Sequence, residues 1–173
     1  DLLLGIVEKT DYDSMMIFTR TRKEADTVCS LLKDKVGDIV TAMHSDIKQT
    51  DRMKALKGFK EERFKILVAT DVAARGIDIS GVTHVVNYRV PENAEDYVHR
   101  IGRTGRAEKE GDAFTILTAD ELDYAESVER FLGKEIKRDK LEDFNYQYTA
   151  MLDTSPIKSF KKPRRGGGKR RRR

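Results

Sequence analysis

The sequence contains a single cysteine, Cys29, so no internal disulfide can form, and its three histidines are scattered rather than clustered at the spacing of a structural zinc site. A reducing, cytoplasmic setting is expected, with no metal bound by the chain itself. No apolar run approaches the ~18–20 residues that a membrane helix needs, and no basic leader with an apolar signal core stands at the start. No membrane association is expected. The chain opens at Asp1 rather than Met, directly in the apolar residues 2–4, and is expected to be a segment of a longer protein. Its 173 residues, 38% apolar and 37% charged, suffice for one compact domain.

The net charge of +4 hides an asymmetry. Residues 158–173 hold ten Lys or Arg and no acid, so residues 1–157 keep 24 of the 34 basic groups with all 30 acids and sum to −6. The basic run, with Gly166, Gly167 and Gly168 in its middle and almost no apolar side chain, cannot repay its ordering entropy and is expected to be disordered. It suits an electrostatic arm for a polyanion, because each phosphate neutralised releases a counterion; a tail that only aids solubility has the same composition.

Between these ends, short β-branched runs alternate with amphipathic stretches, the pattern of βα units around a parallel sheet. Strands are predicted at 15–19, 39–43, 65–69, 83–87 and 113–118. A first helix carries Ala25, Val28, Cys29, Leu32 and Val36 at helical spacing and opens on a capping box from Thr21 to Glu24. A second, at 48–59, has a similar start signal from Asp46 to Gln49 and should bury Met53, Leu56 and Phe59. A third covers 94–102 behind Pro91 and Asn93. The fourth begins at Thr118, with Glu121 completing another capping box, and runs to 132. Domain limits are placed at 1–142 for the folded body, 143–157 for an extension whose aromatic stretch 144–148 packs on or leaves it, and 158–173 for the tail.

In open parallel sheets ligands collect beyond the carboxyl ends of the strands. Four segments there carry suggestive chemistry. In HRIGRTGR at 99–106, His99, Gly102, Arg103 and Arg106 fall at i, i+3, i+4 and i+7, one helical face kept low by glycine. Arg100 points elsewhere, with Asp96 as a surface partner. Arg103 has no acid three or four positions away, and two poorly compensated guanidinium groups suit a phosphate between them; a solvated basic helix end has the same pattern. In ATDVAARGID at 69–78, Thr70 and Asp71 leave the most apolar strand, Gly76 permits an unusual backbone, and Asp78 offers a carboxylate to a sugar hydroxyl. A capped short helix with Arg75 paired to Asp78 accounts for the same residues. Gln49 and Arg52 stand one turn apart at a helix start, and Arg20 and Thr21 stand in IFTRTR at another strand end, where donors can hold a phosphodiester backbone.

The acids Asp120, Glu121 and Asp123 mimic the Mg²⁺ motif of nucleotide hydrolases. The phosphate-cradling pattern GxxxxGK[ST] that should accompany it is absent, since Arg170 stands where Ser or Thr must hold the metal. These acids read as first-turn charges at a helix N-terminus.

Taken together, the order and spacing of the four segments resemble the C-terminal half of a DEAD-box RNA helicase over about residues 1–141. IFTRTR corresponds to motif IV, Gln49 to Arg52 to the QxxR motif, ATDVAARGID to motif V and HRIGRTGR to motif VI; the sequence looks most like the bacterial RhlE-type subgroup. The resemblance implies a RecA-like three-layer α/β sandwich with a mainly parallel central sheet, closing as a monomer on an N-terminal RecA-like lobe with ATP and RNA across the cleft. It implies that Arg103 and Arg106 face the γ-phosphate, with Arg106 as arginine finger, that Gly76 and Asp78 approach ribose and phosphates, and that His99 links to the other lobe. Arg20, Thr21, Gln49, Arg52 and Thr70 would touch the RNA backbone. Ser45 stands where many members have Gly. The ATP-binding loop and the Mg²⁺ ligands belong to the N-terminal lobe, so this chain alone should not hydrolyse ATP. An RNA-binding scaffold acting through the basic tail, and a DNA helicase of the same superfamily, are the alternatives; His99 with Ile101 and Thr104 favours the RNA-directed family.

Overall fold

The computed structural model describes residues 2–105 and 111–146. Five strands, β1 (Met15–Thr19), β2 (Val40–Met43), β3 (Ile66–Thr70), β4 (His84–Asn87) and β5 (Asp112–Thr115), form one sheet in the order β2-β3-β1-β4-β5, and each pairing is parallel. Parallel neighbours demand crossovers, supplied by α2 (Arg22–Val36), α3 (Gln49–Lys60), the short α4 (Asp71–Ala74) and α5 (Ala94–Ile101). Two further helices, α1 (Leu2–Lys9) and α6 (Leu122–Leu132), flank the sheet in sequence. No helix among the described residues is long and apolar enough to cross a membrane.

β1 sits at the centre, and all five of its residues are buried. Side chains alternate along a strand. Met15 and Ile17 therefore enter one core with Leu3 and Val7 of α1 and Ala25, Val28 and Leu32 of α2. Met16 and Phe18 enter another with Phe59 of α3, Ala73 and Ala74 of α4, and Ile79 and Val82. Helices thus cover both faces, giving the expected three-layer α/β sandwich. A smaller cluster around Val90, Tyr97 and Val128 joins α5 to α6. Cys29 lies in the α2 core, where burial pushes its thiol up and keeps it unreactive.

The α2 capping box is present in full: Thr21 accepts from the Glu24 amide, and Glu24 accepts from the Thr21 amide, each at 3.1 Å. Three local expectations need correction. The helix α3 starts behind Lys48 with no side-chain cap, and Met53 is 56% exposed, while Ala55, Gly58 and Phe59 form the buried face. Thr118 and Glu121 make no capping box: a 3₁₀ turn at Ala119–Glu121 precedes α6, and the two side chains bond directly at 2.7 Å. β5 ends at Thr115 rather than 118, since its partner β4 ends at Asn87, whose carbonyl takes the Ile116 amide as the last ladder bond.

Beyond α6 the chain folds back. Glu129 receives the Ile136 amide and Arg138, Tyr146 accepts from the Leu141 amide at 2.6 Å, and Phe144 meets the Tyr146 ring edge-on. Lys9 of α1 pairs with Asp143 at 3.6 Å. The residues 147–157 and the basic run 158–173 lie outside the described residues, as does Arg106.

Candidate functional site

Motifs V and VI are locked together by an ion pair between a buried arginine and a partly exposed carboxylate. Arg100, 3% exposed, points inward from α5 and grips Asp71 with two prongs, Nε to Oδ1 at 2.7 Å and Nη2 to Oδ2 at 2.6 Å. Its Nη1 donates to the Asn87 side chain at 3.0 Å and the Arg89 carbonyl at 3.1 Å, and the guanidinium lies 5.2 Å from the Phe18 ring centre. The fork geometry of Arg suits this arrangement, and nearly all its donors are satisfied. The expectation of a surface Arg100 paired with Asp96 is thereby corrected. Asp96 takes Arg75 instead, at 2.6 Å, which also corrects the alternative of an Arg75–Asp78 pair. Burial alone would raise the Asp96 carboxyl, but the hydrogen bond and charge of Arg75, helped by Asn93 and Arg100, hold it below the ordinary carboxylate value.

Arg103 follows the end of α5 and donates Nη1 to the carbonyls of Ile77 and Ile79, at 2.9 and 3.0 Å. Among the described residues it has no ion-pair partner. Its backbone is fixed as well: the Val82 amide donates to the Arg103 carbonyl, and Val82 bridges Thr104 in parallel fashion. The loop from Gly76 to Ile79 is therefore clamped beside a cation that has no ion-pair partner among the described residues. Gly76 has φ of +73°, and nothing lies within 4 Å of where its Cβ would be, so an open face is left there. Asp78 is exposed and stands 3.7 Å from Lys60. His99 is exposed on the same helix as Arg100. The helix ends at Ile101 and Gly105 has φ of +70°, so the face expected from His99 through position 106 is not one continuous helix.

The motif IV, QxxR and Thr70 segments gather at the carboxyl edge of β1, β2 and β3. Two cross-ties align the first two: His44, 4% exposed, meets Asp26 of α2 at 2.8 Å, and Arg22 pairs with Asp46. Thr21 is exposed at the start of α2. Gln49 accepts from Arg52 at 3.2 Å, and the Arg52 Nε is buried without a partner among the described residues. Thr70 is 6% exposed and precedes α4 without a side-chain cap. Ser45 is exposed beside them. Arg20, expected on the RNA edge, donates its Nη2 to Glu121 at 2.9 Å and to the Val90 carbonyl at 3.2 Å.

Glu121, read from the sequence as a first-turn acid, is fully buried. Sequence reasoning missed it and the Arg100–Asp71 pair because their partners lie 101 and 29 positions away. One signal was present for Arg100: it stands one turn beyond Tyr97, in the stripe that α5 buries. Among the described residues no group of three or more His, Cys, Asp or Glu could hold a metal ion.

Residues 1–108 match the family model described as the helicase conserved C-terminal domain. The chain belongs to that family. Its DEAD-box character follows from relatives: it is 44% identical over 137 residues to the ATP-dependent RNA helicase CshA of Listeria monocytogenes, covering 79% of this chain and 26% of that protein. The domain thus spans about a quarter of that relative's length. Among solved structures, the Escherichia coli DEAD-box protein SrmB, bound to regulator of ribonuclease activity A, superposes with a TM-score of 0.74 at 33% identity, over 80% of this chain and 82% of that one. The C-terminal domain of the DEAD-box protein Dbp5 gives 0.71 at 33% identity, over 77% of each. The DEAD-box C-terminal domain described here therefore has the RecA-like fold.

Proposed function

We propose that this domain is the second lobe of an ATP-dependent RNA helicase, completing a split ATP site and holding the RNA backbone while the two lobes close. The observation that carries the reading is Arg103: a cation without an acidic partner among the described residues, clamped to the carbonyls of Ile77 and Ile79, beside the open face of Gly76 and the carboxylate of Asp78. Such a group is set to meet a polyphosphate, with Asp78 near enough in the loop to take a ribose hydroxyl. Arg106, three residues on, is the arginine finger, and His99 reaches the partner lobe. The nucleotide would be ATP, with Mg²⁺ held by the N-terminal lobe. Thr21, Gln49, Arg52 and Thr70 contact sugar and phosphate, so binding carries little sequence preference. The basic run at 158–173 adds a salt-sensitive arm. The subgroup placement near the RhlE type rests on the sequence resemblance alone.

The test joins this chain to a DEAD-box N-terminal lobe and measures RNA-stimulated ATP turnover. Arg106→Ala is expected to lower kcat on the order of 10³-fold. Equal rates would defeat the finger assignment. The scaffold reading is tested by cutting after Ile157: retained RNA affinity that still responds to Arg52→Ala supports the folded edge, whereas complete loss of affinity and of its salt dependence supports a tail-only binder.

A further inference from the structure

We propose that Glu121 is a positioning residue for RNA binding and that Arg20 serves as its strut rather than as a phosphate ligand. The proposal rests on the reading that Thr21 lies on the RNA edge.

Glu121 is a carboxylate with no exposure, held by Arg20 at 2.9 Å and Thr118 at 2.7 Å, with Arg89 at 4.0 Å. Arg89 in turn donates Nε to Glu24 at 3.0 Å. The other oxygen of Glu24 accepts the backbone amides of Arg20 and Thr21, both at 3.1 Å. Three ion pairs thus run Arg20–Glu121–Arg89–Glu24, and Glu24 returns to the backbone amide of Arg20 rather than to its charge. Arg20 is held at both ends, its amide by Glu24 and its guanidinium by Glu121, with the Val90 carbonyl at 3.2 Å and the Tyr124 ring centre 5.5 Å away. Glu92, at 3.6 Å, adds a further acid.

Apolar groups of the same volume would hold α6 against the sheet about as well, since burying a carboxylate costs much of what its partners return. The directional bonds of Glu24 to the Arg20 and Thr21 amides, and of Arg20 to Glu121, add something packing alone cannot, a single geometry for the turn at the exit of β1. Thr21 stands in that turn, so its placement depends on a carboxylate about a hundred residues downstream. Arg20, already neutralised, releases no counterion when RNA binds, so its removal should leave the salt dependence unchanged.

The experiment uses the full 173-residue chain joined to a DEAD-box N-terminal lobe, with ATP turnover followed against RNA concentration at several salt concentrations. Glu121→Gln and Arg20→Met should each raise the RNA concentration for half-saturation by roughly 5- to 50-fold, and the double variant should be no worse than either, as coupled residues behave. The rate at saturating RNA and the salt slope should stay unchanged. The proposal is overturned if Glu121→Gln leaves half-saturation unchanged, or if it tightens RNA while Arg20→Met lowers the salt slope by about one unit, the mark of a direct phosphate contact. Should Glu121→Gln fail to fold, Arg20→Met with Glu121→Leu replaces the pair by apolar groups and must give the same shift. Arg52→Ala is the control: if it too changes nothing, the RNA-edge reading fails independently of the positioning claim.

Discussion

Arg100 of α5 and Asp71 of α4 meet as a two-pronged ion pair beneath the surface, 2.7 and 2.6 Å apart at their paired atoms, and so join the two segments that flank the candidate nucleotide site. The loop carrying Gly76 and Asp78 leaves from one side of this pair, and Arg103 from the other. Any tilt of α5 would move Arg103 relative to the Ile77 and Ile79 carbonyls that it holds.

Removing Asp71 strands the buried Arg100 guanidinium without its counter-charge, whereas the Asp71 carboxylate is 26% exposed and stays within reach of water. Asp71→Asn is expected to destabilise the fold by about 3–5 kcal/mol, a lower urea midpoint with unchanged slope. A loss below about 1 kcal/mol, the range of exposed pairs, would show that the pair is solvated in solution.

The Asp96–Arg75 pair links stability to acid. The folded Asp96 carboxyl lies below its unfolded value, because Arg75 outweighs the effect of burial. Its contribution is therefore complete above about pH 4 and fades as pH falls through the lowered folded value. Arg75 is largely exposed, so solvent screens the pair and its contribution is small. The stability difference between wild type and Asp96→Asn should shrink as the pH falls below about 4. A difference that stays constant there would count against the pair.

α3 offers a sharp contrast between neighbouring apolar residues. Phe59→Ala should cost about 3–5 kcal/mol, because the ring is 6% exposed within the core beneath β3. Met53→Ala should stay within about 0.5 kcal/mol, as its side chain is mostly solvated. Chemical denaturation of both variants checks the orientation of the helix.

Gly76→Ala introduces no clash, since the space around the new Cβ is empty, but it forces a side chain onto φ of +73°. A loss of about 1–2 kcal/mol is expected, with Gly76→Asn milder because Asn tolerates the left-handed region. Thermal unfolding of the two variants should separate them; equal stabilities would mean that the loop relaxes.

Much of the scaffold was legible because it is local. The core of β1, β3 and β4 follows from short, continuously buried runs and the span of α2 from apolar residues at a period of 3.6, and the Thr21–Glu24 box is written within four positions. The errors also have local causes. Met53 shares an apolar character with Phe59, yet they lie on different faces once Ala55 and Gly58 turn inward. Thr118 and Glu121 carry the spacing of a cap, but a carboxylate drawn to Arg20 cannot also reach back to a helix amide. Helix α1 went unpredicted because its eight residues are too few for a periodic signal, and packing of Leu3 and Val7 on the sheet supplies the stability that propensity lacks.

The amino-acid sequence by itself determined the βα order, the charge asymmetry between body and tail, and the family, since strand periodicity, composition and motif spacing are properties of the chain read in one dimension. Only the tertiary structure decided what each charged group is for: that Arg100 is buried on Asp71, that Arg75 serves Asp96, that Arg20 belongs to Glu121, and that Arg103 lacks an acid among the described residues. The physical reason is that a charge takes the partner that the folded sheet brings within about 3 Å, where Coulomb attraction and hydrogen bonding are strongest, and distance along the sequence places no limit on which residue that is.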